Sequence, residues 1–273
     1  MEYWYSEMHT DNVKLGFRIK KEIAHVKSKY QEIHLLETYE YGKLLVIDGT
    51  VQMTERDEFI YHEMIVHPPM VTHPNPRNVL IIGGGDGGAA REALKHEPQE
   101  VHVVDIDEEV VKIARKYLPS VSSSYLDPRV KLHIEDGINF VKKNRNFDVI
   151  IIDSTDPVGP AEPLFTHEFY EHMKNALKDG GVISQQCGTP IYHPEEVCRV
   201  EKLLKGLLNY VKIYLACIPT YPSGMWAFVM ASDKPLKIRR KIDFKTKYYN
   251  DEIYHSSMVL PNFVKESCED DED

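Results

Sequence analysis

Four aspartates stand where chemistry could be done. Asp86, Asp105, Asp136 and Asp153 each follow an apolar run that reads as a strand, over 79–82, 101–104, 130–134 and 147–152. In an open α/β sheet, ligands bind beyond the carboxyl ends of the strands. A row of carboxylates on that edge favours a cationic ligand. Taken singly, each aspartate also reads as a helix cap or turn residue. Four at one edge are hard to derive from capping alone.

The first of them interrupts a run of glycines, Gly83-Gly84-Gly85-Asp86-Gly87-Gly88. Gly83, Gly85 and Gly88 satisfy G-x-G-x-x-G, a pattern shared by dinucleotide enzymes and nucleoside-binding transferases. A pyrophosphate at this turn needs N–H donors and no anion. Asp86 therefore suits a ligand that is positively charged where it crosses the loop, or it caps the next helix. An acid about 20 residues past the glycine turn commonly takes ribose hydroxyls. Asp105 and Asp107 both qualify, and Asp105 is nearer the strand end. Asp136-Gly137 suits an adenine, since a carboxylate accepts from an exocyclic amine and glycine lets backbone approach the ring. The fourth strand runs into Asp153-Ser154-Thr155-Asp156-Pro157-Val158-Gly159-Pro160. Two carboxylates three residues apart sit there on a proline-stiffened loop, where function concentrates. No third or fourth ligand lies nearby in sequence, so no catalytic metal is expected.

The elements that must position these residues follow an α/β rhythm from residue 78 onward. Helices are predicted over 108–117, 138–143, 168–177 and 195–208, with Gly180-Gly181 closing the third. A fifth strand is expected over 181–185, and strands over 211–216 and 227–230 as an antiparallel end to the sheet. Before residue 55 the pattern is strands and hairpins, with Asp48-Gly49 as a tight turn between 44–47 and 50–54. Residues 30–36 form a further strand. Thr54 reads as the cap of a helix whose first turn is Glu55-Arg56-Asp57-Glu58. That helix should end before Pro68-Pro69, with Pro74 and Pro76 completing a link to the central strand. The chain thus divides into a β-strand domain over 1–55 and a Rossmann-like α/β domain over 56–273.

Composition narrows the classes. A net charge of −10 favours cationic ligands, and no basic stripe with interleaved aromatics offers a nucleic-acid surface. No apolar run approaches the roughly 20 residues of a membrane helix. The N-terminus lacks the apolar core of a signal peptide. The four cysteines show no paired spacing and read as free thiols in a reducing cytoplasm. Trp4 and Trp226 read as core or cavity wall.

Several stretches together resemble the spermidine synthase, or polyamine aminopropyltransferase, family. They are LVIDGTVQMTERDEFIYHEM (44–63), IGGGDGGAAREAL (82–94), IEDGINFV (134–141), IDSTDPVGPAEPLF (152–165), IPTYPSGMWAFVMAS (218–232) and YYNDEIYHSSMVLP (248–261). They stand in family order and span the chain nearly end to end. The resemblance implies a small antiparallel β domain before a methyltransferase-type, mostly parallel sheet, and a homodimer or homotetramer. It implies transfer of an aminopropyl group from decarboxylated S-adenosylmethionine, a co-substrate rather than a resident cofactor, to putrescine. The products are spermidine and 5′-methylthioadenosine. By position, Asp153 is the general base. Gln31, Asp105, Asp136, Gly137 and Pro160 contact the nucleoside, and Asp86 holds the donor's ammonium. Tyr61, His62, Asp156 and Tyr221 line the acceptor-amine channel. On residue type alone, Tyr61 and His62 would be packing, Gln31 a surface residue and Tyr221 part of a turn.

The residues agree with such a reaction. Both substrates are polycations. Only a neutral amine is a nucleophile, and at a pKa of about 10.4 its deprotonation at neutral pH costs roughly 4–5 kcal/mol. A nearby carboxylate and partial desolvation by Tyr61 and Tyr221 lower that cost. Intact S-adenosylmethionine would bring a carboxylate against Asp86, which like charge disfavours. Two other readings share the glycine turn: an NAD-dependent oxidoreductase and an amine N-methyltransferase. Cadaverine, agmatine and spermidine are alternative acceptors.

Overall fold

The computed structural model describes residues 2–155 and 159–269. The chain opens with five strands, β1 (Trp4–Thr10), β2 (Val13–Lys27), β3 (Glu32–Thr38), β4 (Lys43–Ile47) and β5 (Thr50–Thr54), paired antiparallel in that order. Asp48 and Gly49 both take positive φ, 47° and 83°, which closes the β4–β5 hairpin in two residues. Ile33, Leu35, Leu45, Ile47 and Met53 share one face of this sheet.

Helix α1 (Glu58–Thr72) leads out of the small sheet. Its start and end both differ from the sequence expectation. Asp57, not Thr54, is the N-cap, and its carboxylate caps no backbone amide of the helix. Asp57 instead accepts from Thr54 Oγ1 at 2.5 Å and from Thr220 N and Oγ1 at 3.1 and 2.7 Å. Pro68 and Pro69 lie inside the helix rather than ending it. Pro68 cannot donate to the Met64 carbonyl, and the hydroxyl of Tyr214 does so at 2.9 Å. A tertiary contact thus repairs the helix where the local signal says stop.

The α/β domain follows: β6 (Asn78–Gly83), α2 (Gly88–Leu94), β7 (Glu100–Asp105), α3 (Glu108–Tyr117), the short α4 (Pro119–Ser122), β8 (Val130–Ile134), α5 (Gly137–Lys143), β9 (Phe147–Asp153), α6 (His167–Ala176), β10 (Leu177–Gln186), α7 (Pro194–Lys205), β11 (Tyr210–Cys217), β12 (Met225–Ser232), α8 (Asp251–Ser257) and α9 (Asn262–Glu269). The sheet order is β11-β12-β10-β9-β6-β7-β8. Neighbours from β10 to β8 are parallel, and β12 and β11 add an antiparallel edge. Strand order reverses at β6, which lies between β7 and β9, and such a reversal opens a crevice at the carboxyl edge.

Alternation along the strands sorts the core. Val79 and Ile81 of β6 pack with Val149, Ile151 and the α1 residues Met64 and Ile65. Leu80 and Ile82 face the other way with Ile150, Ile152, Phe169 and Val200. Val110, Ile113 and Ala114 of α3 pack on the small sheet, so the helix that follows β7 joins the two units.

Three further expectations are corrected. Gly180 and Gly181 lie within β10, where the register against β9 shifts between Leu177 and Val182, and do not stop α6. Helices α8 and α9 had no predicted counterpart. Cys198 and Cys268 form a disulfide between α7 and α9, while Cys187 and Cys217 are not disulfide-bonded. The partners are 70 residues apart, so no local spacing announced them. With two of four cysteines bridged, thiol usage no longer argues for a reducing compartment. Among the described residues, no helix is long and apolar enough to cross a membrane.

Candidate active site

A cavity of about 350 Å³ opens at the carboxyl edge of β6, β7 and β9 and reaches under the β4–β5 hairpin. It collects residues from both units. Gln31, Asp86, Asp105, Asp136, Gly137, Tyr61, His62, Asp153 and Tyr221 all line it. Asp156 and the Pro160 side chain, also expected here, lie outside what is described. Trp226 lines the wall and is 5 % exposed, whereas Trp4 is 53 % exposed on β1, contrary to expectation.

Glycines make the close approaches possible. Gly83 has φ +82°, and a Cβ there would lie 2.1 Å from the Asp153 carbonyl oxygen. At Gly85 a Cβ would lie 2.4 Å from Asp105 Oδ2. The turn therefore lies directly against the two neighbouring strand ends.

Each acid is fixed by its element. Asp86 Oδ1 accepts from Gly88 N at 2.8 Å, so it does steady the start of α2, while its other oxygen lies 3.4 Å from His62 Nε2. Asp105 Oδ1 accepts from Asp107 N at 2.8 Å. Asp107 is buried and spent on structure: it caps α3 through Glu109 N at 3.0 Å and accepts from Ser28 Oγ at 2.6 Å. Ser28 Oγ in turn accepts from the Tyr30 and Gln31 amides, each at 3.0 Å, which holds the turn bearing Gln31 over the cavity. Asp136 caps α5 through Asn139 N at 2.9 Å. Asp153 Oδ1 accepts from the Tyr61 hydroxyl at 2.6 Å.

The aromatic wall stands beside Asp153. The Tyr61 ring lies 5.6 Å from Tyr221 and 5.5 Å from Phe228, and Tyr221 meets Trp226 edge-on at 4.6 Å. The Tyr221 hydroxyl donates to the Gln52 carbonyl of β5, tying this wall to the small sheet.

Burial separates the acids electrostatically. It pushes Asp105 up to about 6, only partly offset by backbone donors. It also pushes Asp153 up to about 6, with the charge of Asp86 adding to the effect and His62 and the Tyr61 hydroxyl opposing it. Asp86 behaves differently. Burial would raise it, but the His62 imidazolium and the Gly88 N–H hold it below the usual carboxylate range. His62 is likewise penalised by burial, yet Asp86 and Glu58 outweigh that and hold it well above its ordinary value. The cavity thus offers one firmly ionised carboxylate at Asp86 and, across from it, a proton acceptor poised near neutrality at Asp153. Such a pair can bind a cation and take a proton from it.

Sequence reasoning missed several supporting residues. Glu58 accepts the His62 Nδ1–H at 2.6 Å, and Asp57 and Ser28 complete the frame. The i, i+4 spacing of Glu58 and His62 was the only one of these signals available locally.

Comparison with known proteins places this geometry. The model of the spermine/spermidine synthase domain matches residues 58–242, and that of the spermidine synthase tetramerisation domain matches residues 3–55. A polyamine aminopropyltransferase of Alkaliphilus metalliredigens is 46% identical over 280 aligned residues, covering 98% of this chain and 99% of its own. That of Thermoplasma volcanium is 47% identical over 268, covering 97% and 98%. Among solved structures, a spermidine synthase in complex with the transition state analogue AdoDATO superposes with a TM-score of 0.95 at 40% identity, covering 98% of this chain and 95% of the other. The spermidine synthase from Thermotoga maritima gives 0.93 at 40% identity, covering 98% and 94%.

Proposed function

The chain belongs to the spermine/spermidine synthase family, and on that premise we propose that it transfers the aminopropyl group of decarboxylated S-adenosylmethionine to putrescine. The observation that carries this reading is the pairing of Asp86 and Asp153 across one cavity, the first held ionised and the second raised to about 6.

In the proposed reaction the nucleoside lies along the β6–β8 edge. Gln31 and Asp105 take the ribose, Asp136 and Gly137 the adenine, with Pro160 closing over the ring. The donor's terminal ammonium pairs with Asp86, which sets the aminopropyl chain across the mouth of the cavity. The acceptor lies against Tyr61 and Tyr221, with His62 and Asp156 lining its channel. Its nitrogen attacks the carbon next to the sulfonium. The C–S electron pair returns to sulfur, a neutral thioether leaves, and the nitrogen's proton passes to Asp153. A carboxylate raised to about 6 is a better acceptor than an ordinary one, and its Tyr61 partner keeps one oxygen oriented. The apolar wall of Tyr61, Tyr221 and Trp226 disfavours the charged amine, which favours the nucleophilic form. The match to a tetramerisation domain over 3–55 supports a homo-oligomer, a tetramer or a dimer.

The test is direct. The protein is incubated with decarboxylated or intact S-adenosylmethionine and with putrescine, cadaverine, agmatine or spermidine. Methylthioadenosine and the product amine are followed by mass. Aminopropyl transfer from the decarboxylated donor, fastest to putrescine, is expected. Methyl transfer from the intact donor, or no turnover at all, overturns the reading.

A further inference from the structure

A line of alternating charge runs from the cavity into the protein. Asp86 Oδ2 lies 3.4 Å from His62 Nε2, and His62 Nδ1 lies 2.6 Å from Glu58 Oε2. Glu58 is gripped by Arg91 from α2, through Nη1 at 3.0 Å and Nη2 at 2.8 Å. Both His62 and Glu58 are buried, at 2 % and 7 % exposure, so water screens none of these contacts well. His62 lies flat against Gly88, where a Cβ would stand 2.3 Å from the ring, so the imidazole has no room to turn away.

We propose that Glu58 is the positioning residue that reserves Asp86 for the donor's ammonium, by supplying His62 with a carboxylate of its own. This rests on the functional reading above and adds to it a residue that touches no substrate. The argument is one of charge balance. An imidazolium facing Asp86 with no other counter-ion would neutralise it, and an incoming ammonium would meet a closed ion pair. With Glu58 behind the ring, the triad of Glu58, His62 and Asp86 carries one net negative charge. Arg91 on the far side is shared between Glu58 and Glu92, its Nε lying 2.9 Å from Glu92 Oε1, so it does not cancel that charge. His62 also orients Asp86 and keeps it ionised, which burial alone would oppose. The groups facing His62 are Glu58 and Tyr61 from its own helix, Asp86 from the glycine turn and Asp153 from β9, with Arg91 acting through Glu58. Glu58 itself is held at about 2: burial opposes its charge, and His62 and Arg91 more than compensate. It stays ionised throughout the working range.

The test compares two ligands that differ at the charge in question. Decarboxylated S-adenosylmethionine carries the ammonium and a sulfonium, and methylthioadenosine carries neither. The sulfonium charge does not change with pH, so the pH dependence of the ratio reports on the ammonium's partner. Their dissociation constants are measured by calorimetry on the full chain at pH 6.5 and 8.5. The wild-type ratio should be the same at both. Glu58→Gln should weaken the donor about tenfold relative to methylthioadenosine at pH 6.5, where His62 is protonated and pairs with Asp86. The ratio should move toward wild type as pH is raised to 8.5, because His62 with one carboxylate partner fewer gives up its proton more readily than in the wild type. A merely structural role for Glu58 would weaken both ligands alike at both pH values, and that result overturns the proposal, as does an unchanged ratio. Because Glu58→Gln leaves Arg91 short of a partner, the double variant Glu58→Gln/Arg91→Gln is measured beside it and must show the same pH-dependent loss. Failure of the wild type to bind either nucleoside would instead overturn the functional reading itself.

Discussion

The Tyr61 hydroxyl donates to Asp153 Oδ1 at 2.6 Å, across 92 positions of sequence. One partner sits on the helix leaving the small sheet, the other at the end of the central strand β9. The bond therefore exists only when α1 packs on the sheet, and it makes the reactivity of Asp153 depend on that packing.

Replacing Asp153 by Asn removes the proton acceptor and preserves the shape of the site. Turnover should fall about 10²–10⁴-fold, the usual worth of a general base. Methylthioadenosine affinity should stay within a few-fold, since the nucleoside contacts lie elsewhere. Steady-state rates and calorimetry check both halves, and a variant with ordinary rates would remove Asp153 from the mechanism.

The acid limb of the pH profile follows from the same group. Asp153 must be ionised to accept a proton, and burial has raised it to about 6. For the donor, kcat/KM should be level above that value and fall as pH drops through it, with Asp105, also raised to about 6, adding a second proton at the foot. Tyr61→Phe deletes a hydrogen bond to the charged form. Bonds of that kind contribute about 1.5–3 kcal/mol, and 1.36 kcal/mol is one pKa unit. The limb should therefore move up by about one unit or more. A shift toward lower pH would contradict the assigned bond.

Tyr214→Phe tests the repair of α1. The Met64 carbonyl, left without its Pro68 donor, would lose the Tyr214 hydroxyl, and Ser184 would lose its 2.8 Å partner. Buried groups left unsatisfied cost about 1–3 kcal/mol each. Thermal unfolding should show a clear drop in melting temperature with methylthioadenosine affinity nearly unchanged. An unaltered melting curve would mean that the carbonyl finds another donor.

The Cys198–Cys268 bridge should act on stability and not on catalysis. No residue of α7 or α9 lines the cavity. Cys198→Ala, or reduction of the wild type, should lower stability by about 2–4 kcal/mol at most, expressed mainly as faster hydrogen exchange in α9. Kinetic constants should be unchanged. Equal exchange rates in oxidised and reduced protein would argue that α9 is held by packing alone.

Much of this molecule was legible without coordinates because the relevant signals are local. Buried parallel strands announce themselves as unbroken apolar runs, as at 79–82 and 149–152. An acid at a strand's carboxyl end needs only one element to place it, so Asp86, Asp105, Asp136 and Asp153 could be read together. The Asp48-Gly49 hairpin followed from two residues able to take positive φ. What the sequence could not disclose are interactions between distant segments. Pro68 says that a helix ends, and only the Tyr214 hydroxyl, brought over from β11, says that it continues. Cys198 meets Cys268 because two helices pack, not because of any spacing. Position at the strand end favoured Asp105 over Asp107, but only folding supplied the reason, turning one into the cavity and using the other to cap α3 and hold Ser28. The ionisation of the acids was likewise settled in three dimensions. Asp86, Asp105 and Asp153 differ although burial acts on all three, because only Asp86 is paired directly with the His62 imidazolium.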